Sequence, residues 1–220
     1  MIIIIGILSF VGAGLVRWWM TRTYNTWSRI PNAIGANGHR VARHILDSNG
    51  LQIVQLEVTP GQLSDHYIPA HKRIRLSEAV NNQPSVASIA VAAHEVGHAL
   101  QDAANYKPLR LKAIMMPIAA LGNQAGIALA LAGTFLSSSV LTNTGMLLLG
   151  SGVLMQVLTL PIEFDASKRA LAQLTRLQLV DKRDYAGAKS MLRAAALTYV
   201  ASAASSFAFM AFIFLRFFKR

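Results

Sequence analysis

The sequence predicts a mainly α-helical integral membrane protein, with about four transmembrane helices and a small α+β domain. Three observations carry that expectation. Of the 220 residues, 53% are hydrophobic and only 14% charged, too apolar for an ordinary soluble domain. Four apolar runs each approach the roughly 20 residues that a bilayer core demands. The polar remainder switches between helical spacing of apolar residues and strand-like alternation.

Residues 1–20, "MIIIIGILSFVGAGLVRWWM", start without a basic leader and show no clear small-residue cleavage site. They read as a retained N-terminal anchor, with Trp18 and Trp19 beside Arg17 as an interfacial belt. Residues 21–112 form the first polar region. In "NGHRVARHILDSNG", Val41, Ala42, Ile45 and Leu46 fall at helical spacing and Asn49-Gly50 is a stop signal. Val54, Leu56 and Val58 alternate with polar residues, as do Ile74 and Leu76, with "TPG" as a break, so two or three short strands follow. Pro69 marks its strand as an edge. A helix over about Ser85 to Ala103 comes next.

Residues 113–162 read as a helical hairpin. Its apolar runs, Ala113–Leu136 and Val140–Ile162, are separated only by the short, uncharged "SSSVLTN". Asn123, Gln124 and Gln156 lie inside these runs, where helix–helix hydrogen bonds are their expected role. No charged residue sits at the centre of a span, which speaks against an ion or proton transporter. Residues 163–196 form a second polar segment, with a helix beginning just past Pro161. Residues 197–220 close the chain with a last apolar helix, about Leu197 to Leu215, and a basic tail.

The formal net charge is +11, and the chain has no cysteine. Missing cysteine excludes disulfides, thiolate zinc fingers and cysteine nucleophiles. The basic residues flank apolar runs, a pattern that suits anionic lipid rather than nucleic acid. Lys and Arg crowd the segments after the first and third runs, and the hairpin loop has none. Both polar segments are therefore expected on the cytoplasmic side, with both termini outside, although Arg216, Lys219 and Arg220 run against that orientation.

The chemistry concentrates in "VAAHEVGHALQ", residues 91–101. His94 and His98 are four apart, about 40° from each other on a helix, so both imidazoles can reach one ion. Glu95 falls beside the pair, close enough to a water on that ion to take its proton but poorly placed to ligate. This is HExxH logic, in which zinc acidifies water and polarises a carbonyl while one coordination position stays open. Gly97 removes bulk, so a second helix or a substrate backbone can come close. The rival account, two core histidines with a surface glutamate, would strand a carboxylate among apolar neighbours at considerable cost.

Two histidines leave zinc a protein ligand short. His39, His44, His66, His71 and the acidic residues are all candidates on sequence grounds. Among them Glu163 stands in "LPIEFDASKRALAQL", where Glu163, Ala166, Ser167 and Ala170 share a helix face. Small alanines there would let this helix pack tightly on the HEVGH helix.

HEVGH at 94–98, a membrane hairpin, then "EFDASKRA" at 163–170 resembles the bacterial membrane-bound neutral zinc metallopeptidases of the YugP-like family. "DHYIPAHKRIRLS" is similar to that family's DHYDP–RLS stretch, so the resemblance covers nearly the whole chain. It implies a zincin-like catalytic domain of gluzincin type, with Zn2+ held by His94, His98 and Glu163 and with Glu95 as general base. It implies that substrate would lie along the edge strand ending near "DHYIP", and residence in the bacterial cytoplasmic membrane. Glu163 follows the third span immediately, so the metal is expected near the cytoplasmic headgroup level, which favours membrane proteins, their cytosolic loops or peptides as substrates. The position four after the ligand glutamate, often Asp in soluble gluzincins, is Ser167 here. Support for a zinc histidine would then come from Ser167 or from another carboxylate. Asp165 is placed either for an i, i+4 ion pair with Arg169 or for a role at the site. The acidic position of DHYDP is Ile68. Asp102, one turn after His98, reads as a solvated helix-end residue rather than a ligand orienter. His66, Tyr67, His71, Tyr106 and Tyr185 are the candidates for stabilising an oxyanion.

The expected function is a membrane-embedded zinc endopeptidase acting near the cytoplasmic face, with the lipid bilayer as its surroundings and no nucleic-acid partner. The alternative is a non-catalytic zinc-binding scaffold. Glu95 separates the two, because a structural site needs no base beside it.

Overall fold

A computed structural model describes the backbone of residues 2–217 and the side-chain surroundings of 11–211, apart from Leu121 and Asn123. The chain forms two compact units. One comprises residues 1–17, 107–161 and 197–220, and the other residues 18–106 and 162–196.

The first unit is helical. It draws on the start of α1 (Ile2–Trp27), on α5 (Lys107–Phe135), on most of α6 (Ser139–Arg176) and on the end of α7 (Lys182–Phe217). Among the described residues, two helices, Ser139–Arg176 and Lys182–Ala211, are long and apolar enough to cross a membrane. The pair Lys107–Ala120 and Gln124–Phe135, bent by 42°, makes a third if counted as one span. The side chains of the expected anchor up to Phe10 lie outside the described residues, as do those of Asn123 and Arg216 and all of Lys219 and Arg220. Gln124 is exposed.

Small residues bring α5 and α6 together. A Cβ on Gly126 would lie 3.0 Å from the Gly145 carbonyl, and one on Gly145 only 2.4 Å from the Ala130 nitrogen. Such close backbone approach is how helices associate where water supplies no hydrophobic drive. The turn between them lies one residue earlier than expected, with α5 ending at Phe135 and α6 starting at Ser139. A larger departure concerns Pro161. No new helix begins after it, since α6 runs unbroken from Ser139 to Arg176 with the proline inside. A buried stripe four residues apart, Ile162, Ala166, Ala170 and Leu174, follows the proline directly. Packing along that stripe outweighs the roughly 3 kcal/mol that an interior proline costs.

The second unit is α+β. After α1 come α2 (Gly38–Asp47), β1 (Gln55–Thr59), β2 (His66–Ile68), β3 (Arg73–Ser77), the short α3 (Glu78–Asn82) and α4 (Val86–Ala103). Asn37 caps α2 by accepting from the Arg40 amide, and Val41, Ala42, Ile45 and Leu46 are its buried face. Ser85 caps α4 by accepting from the Ser88 amide. The sheet order is β1-β3-β2, with β1 parallel and β2 antiparallel to β3. Ile74 and Leu76 on the central strand are fully buried, whereas Val58 on β1 is 53% exposed. The alternation that reveals β1 thus buries little on its outer half, because an edge strand has cover on one side only. β2 is the other edge and ends at Pro69, which opens a 3-10 turn over Pro69–His71.

Helix α4 is enclosed on nearly every side, with Ile89, Ala90, Ala92, Ala93, Val96 and Ala99 all buried. Its alanines and Gly97 set how close its neighbours come. At Gly97 the neighbour is the backbone of α6, and an added Cβ would lie 2.4 Å from the Ala166 carbonyl oxygen. Gly97→Ala should therefore force the two helices apart and destabilise this unit by about 1–3 kcal/mol. Thermal melting checks this, and an unchanged melting temperature would contradict the tight approach.

Candidate metal centre

The Gly97–Ala166 approach sets three side chains against one another. His94 and His98 project from successive turns of α4, their ring centroids 4.8 Å apart and their planes at 81°. Glu163 lies on α6 just before the Gly97 contact. Its Oε2 is 3.2 Å from His94 Nε2 and 3.6 Å from His98 Nε2. Among the described residues these three form a group whose ligand atoms all lie within 4.8 Å of one another. The Glu163 side chain is only 5% exposed, and those of His94 and His98 are 12% and 14% exposed.

The chemistry of the donors tests whether a metal fits. His98 Nδ1 lies 3.0 Å from Gln101 Oε1, an acceptor, so Nδ1 carries hydrogen. A neutral His98 then presents a lone pair at Nε2 toward a carboxylate that has only lone pairs. Buried acceptors facing each other at this range need a proton or a cation between them. Ligand atoms about 2.0–2.1 Å from a tetrahedral zinc stand roughly 3.3 Å apart, close to the separations from Glu163 to the two rings. The residues fit zinc. The His94 Nδ1 lies 3.3 Å from Ser167 Oγ, so the serine four residues after Glu163 contacts that ring.

Glu95 is buried in the same unit, 7% exposed. Burial pushes its carboxyl above the ordinary carboxylate range; His94 and His98 pull it back, while Asp65 and Glu163 add to the rise. A carboxyl tuned upward is better matched to proton transfer near neutral pH. Asp65 lies in the loop before β2. It accepts from the Ser77 amide at 2.7 Å and from the Ser77 hydroxyl, pinning that loop to the end of β3.

The remaining sequence candidates lie elsewhere. His39 pairs with Asn81 at 3.1 Å, and His44, His66 and His71 are exposed. Tyr67 donates its hydroxyl to Asp102 at 2.6 Å, which commits that group. Lys72 joins the same carboxylate at 2.5 Å. Asp102 is therefore no solvated helix end: it ties edge strand β2 to α4 one turn beyond His98. Burial, reinforced by this carboxylate, pushes the Tyr67 phenol up. Tyr106 lies beneath the Arg169 guanidinium at 5.8 Å, and Tyr185 sits beside Lys189. Asp165 makes the expected ion pair with Arg169 at 2.6 Å and also accepts from Gln101 at 2.9 Å. Sequence reasoning missed Gln101. The available signal was its place three residues after His98, on the same helix face, within an apolar flank.

The chain is 37% identical over 199 residues, 89% of its own length and 88% of the other's, to "Putative membrane protease YugP" of Bacillus subtilis (strain 168). No solved structure matches it. A family model described as "Putative neutral zinc metallopeptidase" matches residues 1–217. The chain belongs to that zinc metallopeptidase family.

Proposed function

We infer that this protein is a zinc-dependent endopeptidase of the membrane, cleaving membrane proteins or peptides near the cytoplasmic face. The observation that carries the reading is the convergence of His94 and His98 with Glu163 of the facing helix, with a buried carboxyl group, Glu95, between the two histidines on α4. His94, His98 and Glu163 would hold the metal, and Ser167 and Gln101 would steady the two rings. Zinc bound there supplies Lewis acidity, acidifying water and polarising the scissile carbonyl. Glu95 takes the proton of the attacking water on its carboxylate. It then gives that proton to the amide nitrogen as the C–N bond breaks, so the amine leaves neutral. A purely structural His2Glu site would have no use for this base. The position of Glu163, two residues past Pro161 on a helix that qualifies as a membrane span, favours substrates at or near the bilayer. The relative's name, a membrane protease, supports the same reading.

Glu95→Gln is expected to keep its zinc, read by elemental analysis, while hydrolysis of a fluorogenic peptide set falls by about 10²–10⁴-fold. Full activity in that variant would sink the mechanism and leave the zinc-binding scaffold as the better account. Glu163→Ala and His98→Ala should each lose the metal on dialysis, whereas retained stoichiometric zinc would remove that residue from the ligand set. The absence of cysteine makes topology directly measurable. A cysteine at Ser138 should react with an impermeant maleimide on intact cells, and one at Gln178 only after permeabilisation. The reverse pattern would put the site on the outer face.

A further inference from the structure

Gln101 is fully buried, and each polar atom of its amide has a fixed partner. Its Nε2 donates to the Ile162 carbonyl at 2.8 Å and to Asp165 Oδ2 at 2.9 Å. Both amide hydrogens are thereby used. Rotating the amide by half a turn would set its oxygen against a carbonyl and a carboxylate, two acceptors, so only one orientation is stable. In that orientation Oε1 faces His98 Nδ1 at 3.0 Å. Asp165 is itself held by Arg169 at 2.6 Å, and the Arg169 guanidinium lies over the Tyr106 ring at 5.8 Å.

We propose that Gln101 is a positioning residue for the metal centre: locked by Asp165 and Arg169, it fixes His98 as the tautomer whose Nε2 lone pair faces the ion. Through Ile162 the same amide holds the backbone immediately before Glu163, so one side chain aligns two ligands on two helices. The usual carboxylate partner of a zinc histidine is thus moved one step outward, with a neutral amide between carboxylate and ring. This inference rests on the reading that His94, His98 and Glu163 bind zinc.

The test compares the wild type with Gln101→Met, of similar length but with no donors and only a weakly accepting thioether. Zinc affinity is measured by competition with a chelator, and the ligand field by the visible spectrum of the cobalt-substituted protein. Gln101→Met is expected to bind zinc about 10- to 100-fold more weakly and to show a shifted cobalt spectrum. Folding of the metal-free variants is followed by circular dichroism. If Gln101→Met does not fold, Asp165→Ala carries the test, because it frees the amide to turn, and a several-fold weaker affinity with a shifted cobalt spectrum is expected. Wild-type affinity and spectrum in a folded Gln101→Met, or in Asp165→Ala, overturn the proposal. His98→Ala, measured alongside, keeps the two readings apart. If it retains zinc, the ligand assignment fails; if it loses zinc while folded Gln101→Met does not, only the role of Gln101 fails.

Discussion

The contact between the Cα of Gly97 and the carbonyl of Ala166 governs the geometry of the centre. Helices with ordinary side chains at a crossing lie 8–10 Å apart, and a glycine against a backbone carbonyl allows closer approach. Glu163 is short of reach unless α6 comes in against α4. The buried stripe of Ile162, Ala166, Ala170 and Leu174 brings it there, and Gly97 leaves room for it. The carboxylate then stands 3.2 and 3.6 Å from two imidazole nitrogens of the neighbouring helix. An electrostatic demand follows from packing, because three converging lone-pair donors in a buried place call for a cation.

Around that demand the polar groups are arranged so that few are left without a partner. His94 leans on Ser167, and His98 leans on Gln101, which Asp165 and Arg169 hold in turn. His98–Gln101 lies within α4 and Asp165–Arg169 within α6, but Ser167–His94 and Gln101–Asp165 cross between the helices, so orientation of the imidazoles and adhesion of α4 to α6 share interactions. On the other flank of α4, Asp102 gathers Tyr67 and Lys72 and fastens the edge strand β2 to the same helix. The outer edge of β2 remains free of a neighbouring strand in the sheet, and unpaired strand edges accept extended peptides.

Much of this was legible because helical and strand periodicities are local. The α2 face, the start of α4 near Ser85, the short strands and the histidine pair follow from spacing within a few residues. Pro161 misled, since a proline is a strong local signal for a boundary and only long-range packing along α6 outweighs it. Val58 misled for the opposite reason: its alternation is genuine, but nothing in the spacing says that β1 lies at an edge. Asp102 looked like a solvated helix end because its two partners lie 30 and 35 residues away.

By itself the sequence determined which residues could do chemistry: two imidazoles one helical turn apart, a carboxylate between them, and no thiol to compete for metal. It also determined the resemblance that singled out Glu163. Tertiary structure alone decided that Glu163 meets His94 and His98 across 69 and 65 intervening steps of chain, that Ser167 and Gln101 are their supports, and that Asp165 serves both Arg169 and Gln101. Spacing encodes neighbours on one helix, but which face of α6 meets which face of α4 is set by the small residues and the buried stripe between them.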